Sequence, residues 1–140
     1  IEHLYPHDVP VALGEFLRVL KPDGFVVITC PDLQSICELV AQDRLTEAAY
    51  ESPAGPIAPI DMLYGYRSSM ERGNLYMAHR CGFTERVLAG TLRSSGFKDT
   101  ASIKRATPFF DLWVLGTKNR VDDDSIRESA VKHFPGSVAT

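Results

Sequence analysis

The sequence predicts an α/β fold, and two observations carry that prediction. In residues 9–30, apolar residues at helical spacing are followed by a short turn and then by an apolar run rich in β-branched residues. In residues 101–117, two strand-like segments are separated by so short a connection that the strands must be antiparallel. The expected architecture is therefore a set of helices beside a sheet that contains an antiparallel strand.

Length and composition fit one domain of modest size. The chain has 140 residues, of which 44% are hydrophobic and 24% charged, and its formal net charge is −3. No basic excess favours a nucleic-acid partner, and no apolar run approaches the roughly 20 residues that span a bilayer. We expect neither nucleic acid nor a membrane as a partner. Cys30, Cys37 and Cys81 form no short motif, so we interpret them as free thiols of a cytoplasmic protein.

The first helix is predicted over residues 9–20. Asp8 stands where an N-cap is expected, and Pro10 is tolerated in the first turn. The Lys-Pro-Asp-Gly run at 21–24 suits a type I turn, because proline fits its second position and glycine its fourth. The apolar face of the helix is expected to consist of Val9, Leu13, Phe16, Leu17 and Leu20.

A strand covered on both faces is predicted over residues 25–30, and Pro31 should end it because proline has no N–H to donate. A helix, a turn and a strand form half of a βαβ unit. We therefore expect Ile1 and Glu2 to be the tail of a preceding parallel strand in a longer protein. Ligands of open α/β sheets bind at the carboxyl ends of strands, which places Pro31 and Asp32 at the edge of any site.

The middle of the chain is predicted to be less regular. Asp32 can cap a second helix. Residues 52–59 contain three prolines and a glycine and are predicted to be a loop, whereas residues 60–73 are predicted to be partly helical. Residues 74–83 are predicted to be irregular and are rich in His, Arg, Tyr and Met. Connections of this length are more often functional than filler.

The last third of the chain contains a helix followed by two strands. Thr84 is expected to cap the helix and Gly96 to end it in a left-handed conformation. Residues 101–106 have low hydrophobicity and are placed at a sheet edge, whereas residues 109–117 form a strongly apolar strand. The inner face of the helix is expected to be Val87, Leu88, Thr91 and Leu92, and Trp113 is expected in the core.

Several of these stretches resemble the second half of class I S-adenosylmethionine-dependent methyltransferases. The resemblance is carried by Ile-Glu-His-Leu at 1–4, by Arg-Val-Leu-Lys-Pro-Asp-Gly at 18–24, and by the following strand with Pro31. The stretches 59–65 and 77–84 resemble an insertion carried by one uncharacterised bacterial branch of that family. The family therefore supplies expectations for both fold and function.

The resemblance implies a domain organisation and a sheet. Residues 1–118 would be the C-terminal part of a methyltransferase domain, with residues 33–83 as a lid or substrate insertion. Residues 119–140 would be a tail, either with one short helix from 125 to 133 or mobile. The fold would be a partial Rossmann-like methyltransferase sheet whose last strand, formed by the second apolar segment, is antiparallel. That strand would lie beside the first one, with the edge strand outside it.

The resemblance also implies a cofactor and a reaction, in which S-adenosylmethionine donates a methyl group to a small-molecule acceptor. Members of the family hold the methionine part of the cofactor with a glycine-rich loop, and the ribose with an acidic residue, both in an amino-terminal half. No G-x-G motif occurs in this sequence, and glycines permit the close backbone approach that the cofactor needs. We therefore expect the isolated chain to bind S-adenosylmethionine weakly or not at all and to be inactive.

Candidate site residues follow from the resemblance. It implies catalytic roles for His3 and His79, cofactor contacts by Glu2, His3 and Leu4, and acceptor contacts by Tyr5, Pro31, Asp32, Tyr76 and Arg80. His3 could act as a base, or it could pack the loop before the first helix. His79 and Arg80 could belong to a lid in which Arg80 holds a carboxylate or phosphate, or tyrosines and methionines could simply hold this loop down.

No metal site is predicted from the sequence. His3 and His7 have a spacing that would place both rings on one face of a helix, but Pro6 lies between them and the helix starts only afterwards. His79 is distant in sequence from both.

Two other classes of function remain as alternatives. A non-catalytic interaction module, derived from a truncated methyltransferase, would dock on a partner through an unpaired sheet edge. In a methyltransferase fragment, the same exposed edge could form a homodimer. A nucleotide-binding enzyme such as a dehydrogenase is disfavoured because no glycine fingerprint is present.

Overall fold

The computed structural model describes residues 1–136, which form a mixed α/β fold. For residues 119–140 the sequence left open either a short helix or a mobile tail, and the structure has a helix there, Asp123–His133. Residues 137–140 lie outside the described part of the chain. The elements in chain order are α1 (Val9–Val19), β1 (Phe25–Pro31), α2 (Leu33–Ala41), β2 (Tyr50–Ser52), β3 (Gly55–Ile57), α3 (Pro59–Tyr64), α4 (Arg67–Glu71), a 3₁₀ turn (Leu75–Met77), α5 (Glu85–Ser94), β4 (Thr100–Arg105), β5 (Asp111–Thr117) and α6 (Asp123–His133).

Strand β5 is the centre of a three-stranded antiparallel sheet. It pairs with β1 on one side and with β4 on the other, so the order is β1–β5–β4. Trp113 of β5 faces Thr29 of β1 and Ile103 of β4. The predicted antiparallel strands and the edge position of β4 are confirmed. Residues 1–136 contain no parallel strand beside β1. The structure therefore confirms the predicted α/β class, whereas the Rossmann-like methyltransferase sheet stays a prediction.

The first residues of the chain do not lie in a strand, contrary to the prediction for Ile1 and Glu2. They begin a turn in which the Leu4 N–H donates to the Ile1 carbonyl at 3.1 Å. The Glu2 carbonyl accepts from the N–H groups of Arg80 at 2.8 Å and Cys81 at 3.2 Å. The start of the chain is therefore bound to a distant loop rather than to the sheet.

Helix α1 forms as predicted, but two of its details differ. Asp8 makes no side-chain cap, because its own backbone is already helical (φ −85°, ψ −20°) and an N-cap side chain needs an extended backbone to reach the first N–H groups. Phe16 is 42% exposed, whereas Val9 and Leu13 are buried. The apolar face is therefore narrower than the helical spacing predicted.

Strand β1 follows the predicted turn, which the Gly24 N–H closes on the Lys21 carbonyl at 2.9 Å. The strand ends at Pro31, as predicted, but Pro31 itself still lies opposite Asp111, so the strand is one residue longer than predicted. Because β1 is an edge strand in this sheet, the missing proline N–H leaves no pairing bond unmade. Thr29 is exposed, so β1 is not covered on both faces along its whole length.

Residues 52–59 contain a hairpin strand and the start of a helix rather than a loop. Strands β2 and β3 pair antiparallel, with Ser52 facing Gly55. The Ser52 hydroxyl donates to the Gly55 carbonyl at 2.9 Å and accepts from the Ala54 N–H at 3.1 Å. The prolines exclude a central strand, but an isolated two-stranded ribbon has two free edges and tolerates Pro56.

Helix α5 packs Leu88 and Leu92 into the core, where both are fully buried. Val87, predicted for the same face, is 48% exposed, and Thr84 makes no side-chain cap. Gly96 follows with φ 108°, the predicted left-handed end.

Two groups of buried side chains organise the molecule. The larger one joins α1, β1, α5 and β5, and the smaller one joins α2, the hairpin and α3 to the start of β5, so that the middle of the chain packs near the carboxyl end of β1. Trp113, predicted in the core, is only partly buried. The smaller group consists of Ile36, Ile57, Met62 and Phe110.

Candidate functional site

A cavity of about 220 Å³ lies at the carboxyl end of β1. It is lined by the start of α2, by α3, by residues 79–82 and by Glu2. The apolar lining includes Leu33, Ile36, Met62 and Leu63, and the charged or titratable lining consists of Glu2, Tyr64, His79, Arg80 and Cys81. The cavity is therefore mostly apolar, with a small set of polar groups, as is usual for small-molecule sites.

His79 is fixed to α3 at two points. Its backbone N–H donates to the Tyr64 carbonyl at 3.1 Å, and its ring Nδ1 lies 2.8 Å from the Met62 carbonyl oxygen. A carbonyl oxygen only accepts, so Nδ1 must carry the proton and Nε2 has a free lone pair when the ring is neutral. Burial lowers the pKa of His79 below its ordinary value, against the opposing effects of the Met62 hydrogen bond and Glu2.

His3 has the same arrangement on the facing segment. Its Nδ1 lies 3.3 Å from the Ala78 carbonyl, and its Nε2 lies 3.6 Å from the Glu2 Oε1 atom. The His3 and His79 rings meet edge to face, with centroids 4.8 Å apart. The structure therefore brings together two histidines that are 76 positions apart in the sequence.

The close approach that places His79 depends on Gly65, the residue after α3. Its backbone (φ 100°, ψ 157°) is in a region that essentially only glycine occupies. A Cβ at this position would lie 2.0 Å from the Met77 carbonyl oxygen. Residues 77–79 can run against the end of α3 only because Gly65 has no side chain.

Arg80 joins the same loop to the start of the chain. Its guanidinium lies 4.3 Å from the centre of the Tyr5 ring, and its Nη1 donates to the Tyr5 hydroxyl at 2.5 Å. Residues 1–5 and 79–81 therefore form one unit, held by these side chains and by the backbone bonds to the Glu2 carbonyl. Arg80 also lines the cavity, where it can present a positive charge to an acidic ligand.

Asp32 is completely buried, but its carboxylate faces its own helix. It accepts from the backbone N–H groups of Gln34 at 3.3 Å and Ser35 at 3.2 Å, as predicted for the cap of α2. The Lys104 Nζ of the edge strand lies 3.8 Å away. The geometry thus gives Asp32 a structural role, and its predicted contact with an acceptor remains a prediction.

The other predicted site residues are dispersed. Pro31 lines the cavity, whereas Leu4 packs against the larger core group. Tyr76 is 89% exposed and does not line the cavity.

A second cavity of about 260 Å³ adjoins the first and shares Glu2, Pro31 and Met62 with it. Cys30 contributes to its lining. Burial raises the pKa of the Cys30 thiol to about 12, which leaves it protonated and a poor nucleophile at neutral pH.

Met62 and Asp61 shape the cavity wall, although nothing in the sequence singles them out as site residues. Met62 contributes both a side chain to the cavity and the carbonyl that orients His79. Asp61, beside it, is buried and accepts from Arg67 Nε at 2.7 Å and from the Ala58 N–H at 3.1 Å, which holds α3 to α4. In the sequence, Gly65 between two tyrosines is the one sign that another backbone segment approaches α3 closely.

Comparisons with protein-family models, with curated proteins and with solved structures gave no match. In residues 1–136, no helix combines the length and the apolar character that crossing a membrane requires.

Proposed function

We propose that this chain forms the acceptor side of an S-adenosylmethionine-dependent methyltransferase that acts on a small molecule. The observation that carries the proposal is the cavity at the carboxyl end of β1, where the Glu2–His3 turn meets His79 and Arg80. Ligands of open α/β sheets bind at this end of the strands.

The strand order supports the same proposal. The resemblance implies that the first strand lies beside an antiparallel last strand, with the edge strand outside, and the order β1–β5–β4 has this arrangement. Within residues 1–136, the flank of β1 away from β5 has no strand partner. A parallel strand of a larger Rossmann-like sheet would fit along that flank.

The lining of the cavity favours a small acceptor with an apolar body and an acidic group. A volume of about 220 Å³ suits a metabolite rather than a folded polypeptide. Leu33, Met62 and Leu63 would cover the apolar body, and the Arg80 guanidinium would bind a carboxylate or phosphate.

Methyl transfer depends on the alignment of the acceptor atom, the methyl carbon and the sulfur more than on acid–base chemistry. When bound, S-adenosylmethionine would supply the methyl group: the acceptor would bond to the methyl carbon as the carbon–sulfur bond breaks, and S-adenosylhomocysteine would leave with the bonding electrons. A proton released by the acceptor can pass to Nε2 of His79, which lines the cavity and whose Nδ1 proton is bound to the Met62 carbonyl. The glycine-lined wall for the donor would come from residues outside this sequence.

The test is transfer of a tritiated methyl group. The natural protein is incubated with methyl-tritiated S-adenosylmethionine and a fractionated extract of small metabolites. The expected result is label in a low-molecular-mass product, absent with boiled protein and reduced in the Arg80→Ala variant. No labelled product from any fraction, or label only in macromolecules, would contradict the proposal.

A non-catalytic interaction module is the second candidate, because no strand of residues 1–136 pairs with the flank of β1 away from β5, apart from a single parallel bridge between Asp32 and Phe83 just beyond the strand. Such an edge can add a strand from another chain. Size-exclusion chromatography of this chain separates the two: an interaction module stays discrete until its partner is added, whereas a methyltransferase part with an orphan central strand dimerises or aggregates.

A further inference from the structure

We propose that Glu2, His3 and His79 form a binding site for a divalent transition-metal ion of the zinc class. One donor atom from each of these residues lies within 4.8 Å of the others. The proposal does not depend on methyl transfer, because it rests on side chains that are all present in this chain.

The donor set is suited to such an ion. Two imidazoles and one carboxylate are a recurrent ligand set of zinc and of non-haem iron, whereas calcium and magnesium prefer oxygen ligands alone. Three protein ligands leave at least one coordination position open. That position can face the adjoining cavity, since Glu2 and His79 both line it.

The distances are close to those of a bound state. Two ligands at ~2.1 Å from a tetrahedral zinc ion are ~3.4 Å apart. His3 Nε2 and Glu2 Oε1 are 3.6 Å apart, so this pair needs almost no adjustment. No pair in the set is more than 4.8 Å apart, so the widest has to close by at most about 1.4 Å.

The surroundings of the two rings are the strongest argument. Metal-binding histidines almost always donate their second ring nitrogen to a carbonyl or carboxylate, which fixes the ring and leaves the other nitrogen for the ion. His79 Nδ1 has the Met62 carbonyl at 2.8 Å, and His3 Nδ1 has the Ala78 carbonyl at 3.3 Å. Each Nε2 atom therefore keeps a free lone pair that an ion can use.

A bound ion would also change the chemistry of the site. It would take the two Nε2 lone pairs and would lower the pKa of an acceptor hydroxyl or water that enters its open position. In that state the ion, rather than an imidazole, would favour loss of the proton.

Zinc ion alone is the probe for the test. The natural protein is stripped with a chelator, and Zn²⁺ affinity is measured by competition with a chromophoric chelator, without a methyl donor. We expect one Zn²⁺ more per chain than in the His79→Ala variant. The His3→Ala and His79→Ala variants should each lose about 100-fold or more in affinity, since loss of an outer-shell partner alone costs about 10–100-fold.

Matched variants keep the test decisive. His7→Ala and His133→Ala remove histidines that lie outside the set, and Cys81→Ser removes the nearby thiol. These three should bind Zn²⁺ like the parent, and X-ray absorption should show nitrogen and oxygen ligands without sulfur. Thermal unfolding of each metal-free variant reports whether it folds, and Glu2→Gln, which keeps the side-chain shape, should still weaken binding.

Equal Zn²⁺ affinity in the parent and the His79→Ala variant would overturn the proposal. So would a sulfur ligand, or a loss in the His7→Ala variant as large as that in the His3→Ala variant. Because no methyl donor is present, these outcomes are distinct from failure of the methyl-transfer test.

Discussion

Gly65 and Met77 are in direct backbone contact, and a single Cβ atom on Gly65 would lie 2.0 Å from the Met77 carbonyl oxygen. This contact places residues 77–79 against α3, where the Met62 and Tyr64 carbonyls bind His79. The position of a histidine at the cavity therefore depends on a glycine 14 positions earlier.

We predict that Gly65→Ala strongly destabilises the fold. The backbone conformation is one that alanine avoids, and the clash is with backbone rather than with a movable side chain, so we expect a loss of about 3 kcal/mol or more in unfolding free energy. Urea denaturation measures it. Gly73→Ala is the matched control, because Gly73 has φ 93° with nothing within 4 Å of an added Cβ.

The control variant should lose only about 1–2 kcal/mol, the cost of a left-handed backbone alone. Equal losses in the two variants would show that the Gly65–Met77 contact is not as close as the structure has it.

Asp32 and Asp122 provide a second matched pair. Each begins an Asp-x-x-Ser run and accepts from the backbone N–H of its serine, at 3.2 Å from Ser35 and 2.7 Å from Ser125. Asp32 is buried and Asp122 is exposed. The buried Ser35 hydroxyl also donates to the Asp32 carboxylate. We expect Asp32→Ala to lower the unfolding free energy by about 2–3 kcal/mol, because it removes the cap of α2 and leaves the Ser35 hydroxyl without its acceptor.

The Asp122→Ala variant should lose less, because water can replace the lost acceptor at an exposed helix end. Chemical denaturation of both variants gives the comparison. A larger loss at Asp122 would contradict the burial of the α2 cap.

The Asp61–Arg67 pair should make stability depend on pH in the acid range. Burial acts to raise the pKa of Asp61, but hydrogen bonds from the Arg67 side chain and from the Ala58 and Arg67 N–H groups outweigh it, and the net pKa lies below the ordinary value. The ionised form therefore stabilises the folded state above the unfolded-state pKa, and this contribution is lost as pH falls through the folded pKa.

We expect Asp61→Asn to be less stable than the parent at pH 7 by about 1–3 kcal/mol, the cost of weakening hydrogen bonds to a buried charge. The gap should narrow below pH ~4, where the unfolded-state carboxyl protonates. Thermal unfolding of both proteins between pH 7 and pH 3 measures this. A gap that is constant over the whole range would exclude a role for the Asp61 charge.

Arg80 gives a prediction that rests on the proposed function. If the guanidinium binds an acidic group of the acceptor, Arg80→Ala should raise KM for that acceptor about tenfold or more, with a smaller effect on kcat. Arg80→Lys should restore part of the loss, because it keeps the charge but not the forked geometry. Steady-state kinetics, with Arg86→Ala on the exposed face of α5 as control, test this.

The sequence predicted those parts of the fold that depend on neighbouring residues. The 9–19 helix, the 21–24 turn and the antiparallel β4–β5 pair follow from spacing and turn chemistry within short windows. The β2–β3 hairpin was not predicted, because the prolines in residues 52–59 exclude a central strand but do not exclude an isolated two-stranded ribbon.

The candidate site shows a different limit. His3 and His79 were each singled out, but nothing in the sequence indicates that their rings meet. Their meeting depends on the backbone carbonyls of Met62, Tyr64 and Ala78, and a carbonyl carries no signal in a sequence. Side-chain chemistry could thus be predicted, whereas an arrangement made by backbone atoms could not.

Hydrogen–deuterium exchange of the natural protein, with and without saturating S-adenosylhomocysteine, measures whether the carboxyl end of β1 borders the methyl donor. We expect slower exchange in residues 1–8, 31–36 and 79–83, which surround that end of β1, and no change in α5 or α6. Slower exchange confined to α5 or α6, or no change anywhere at saturation, would contradict it.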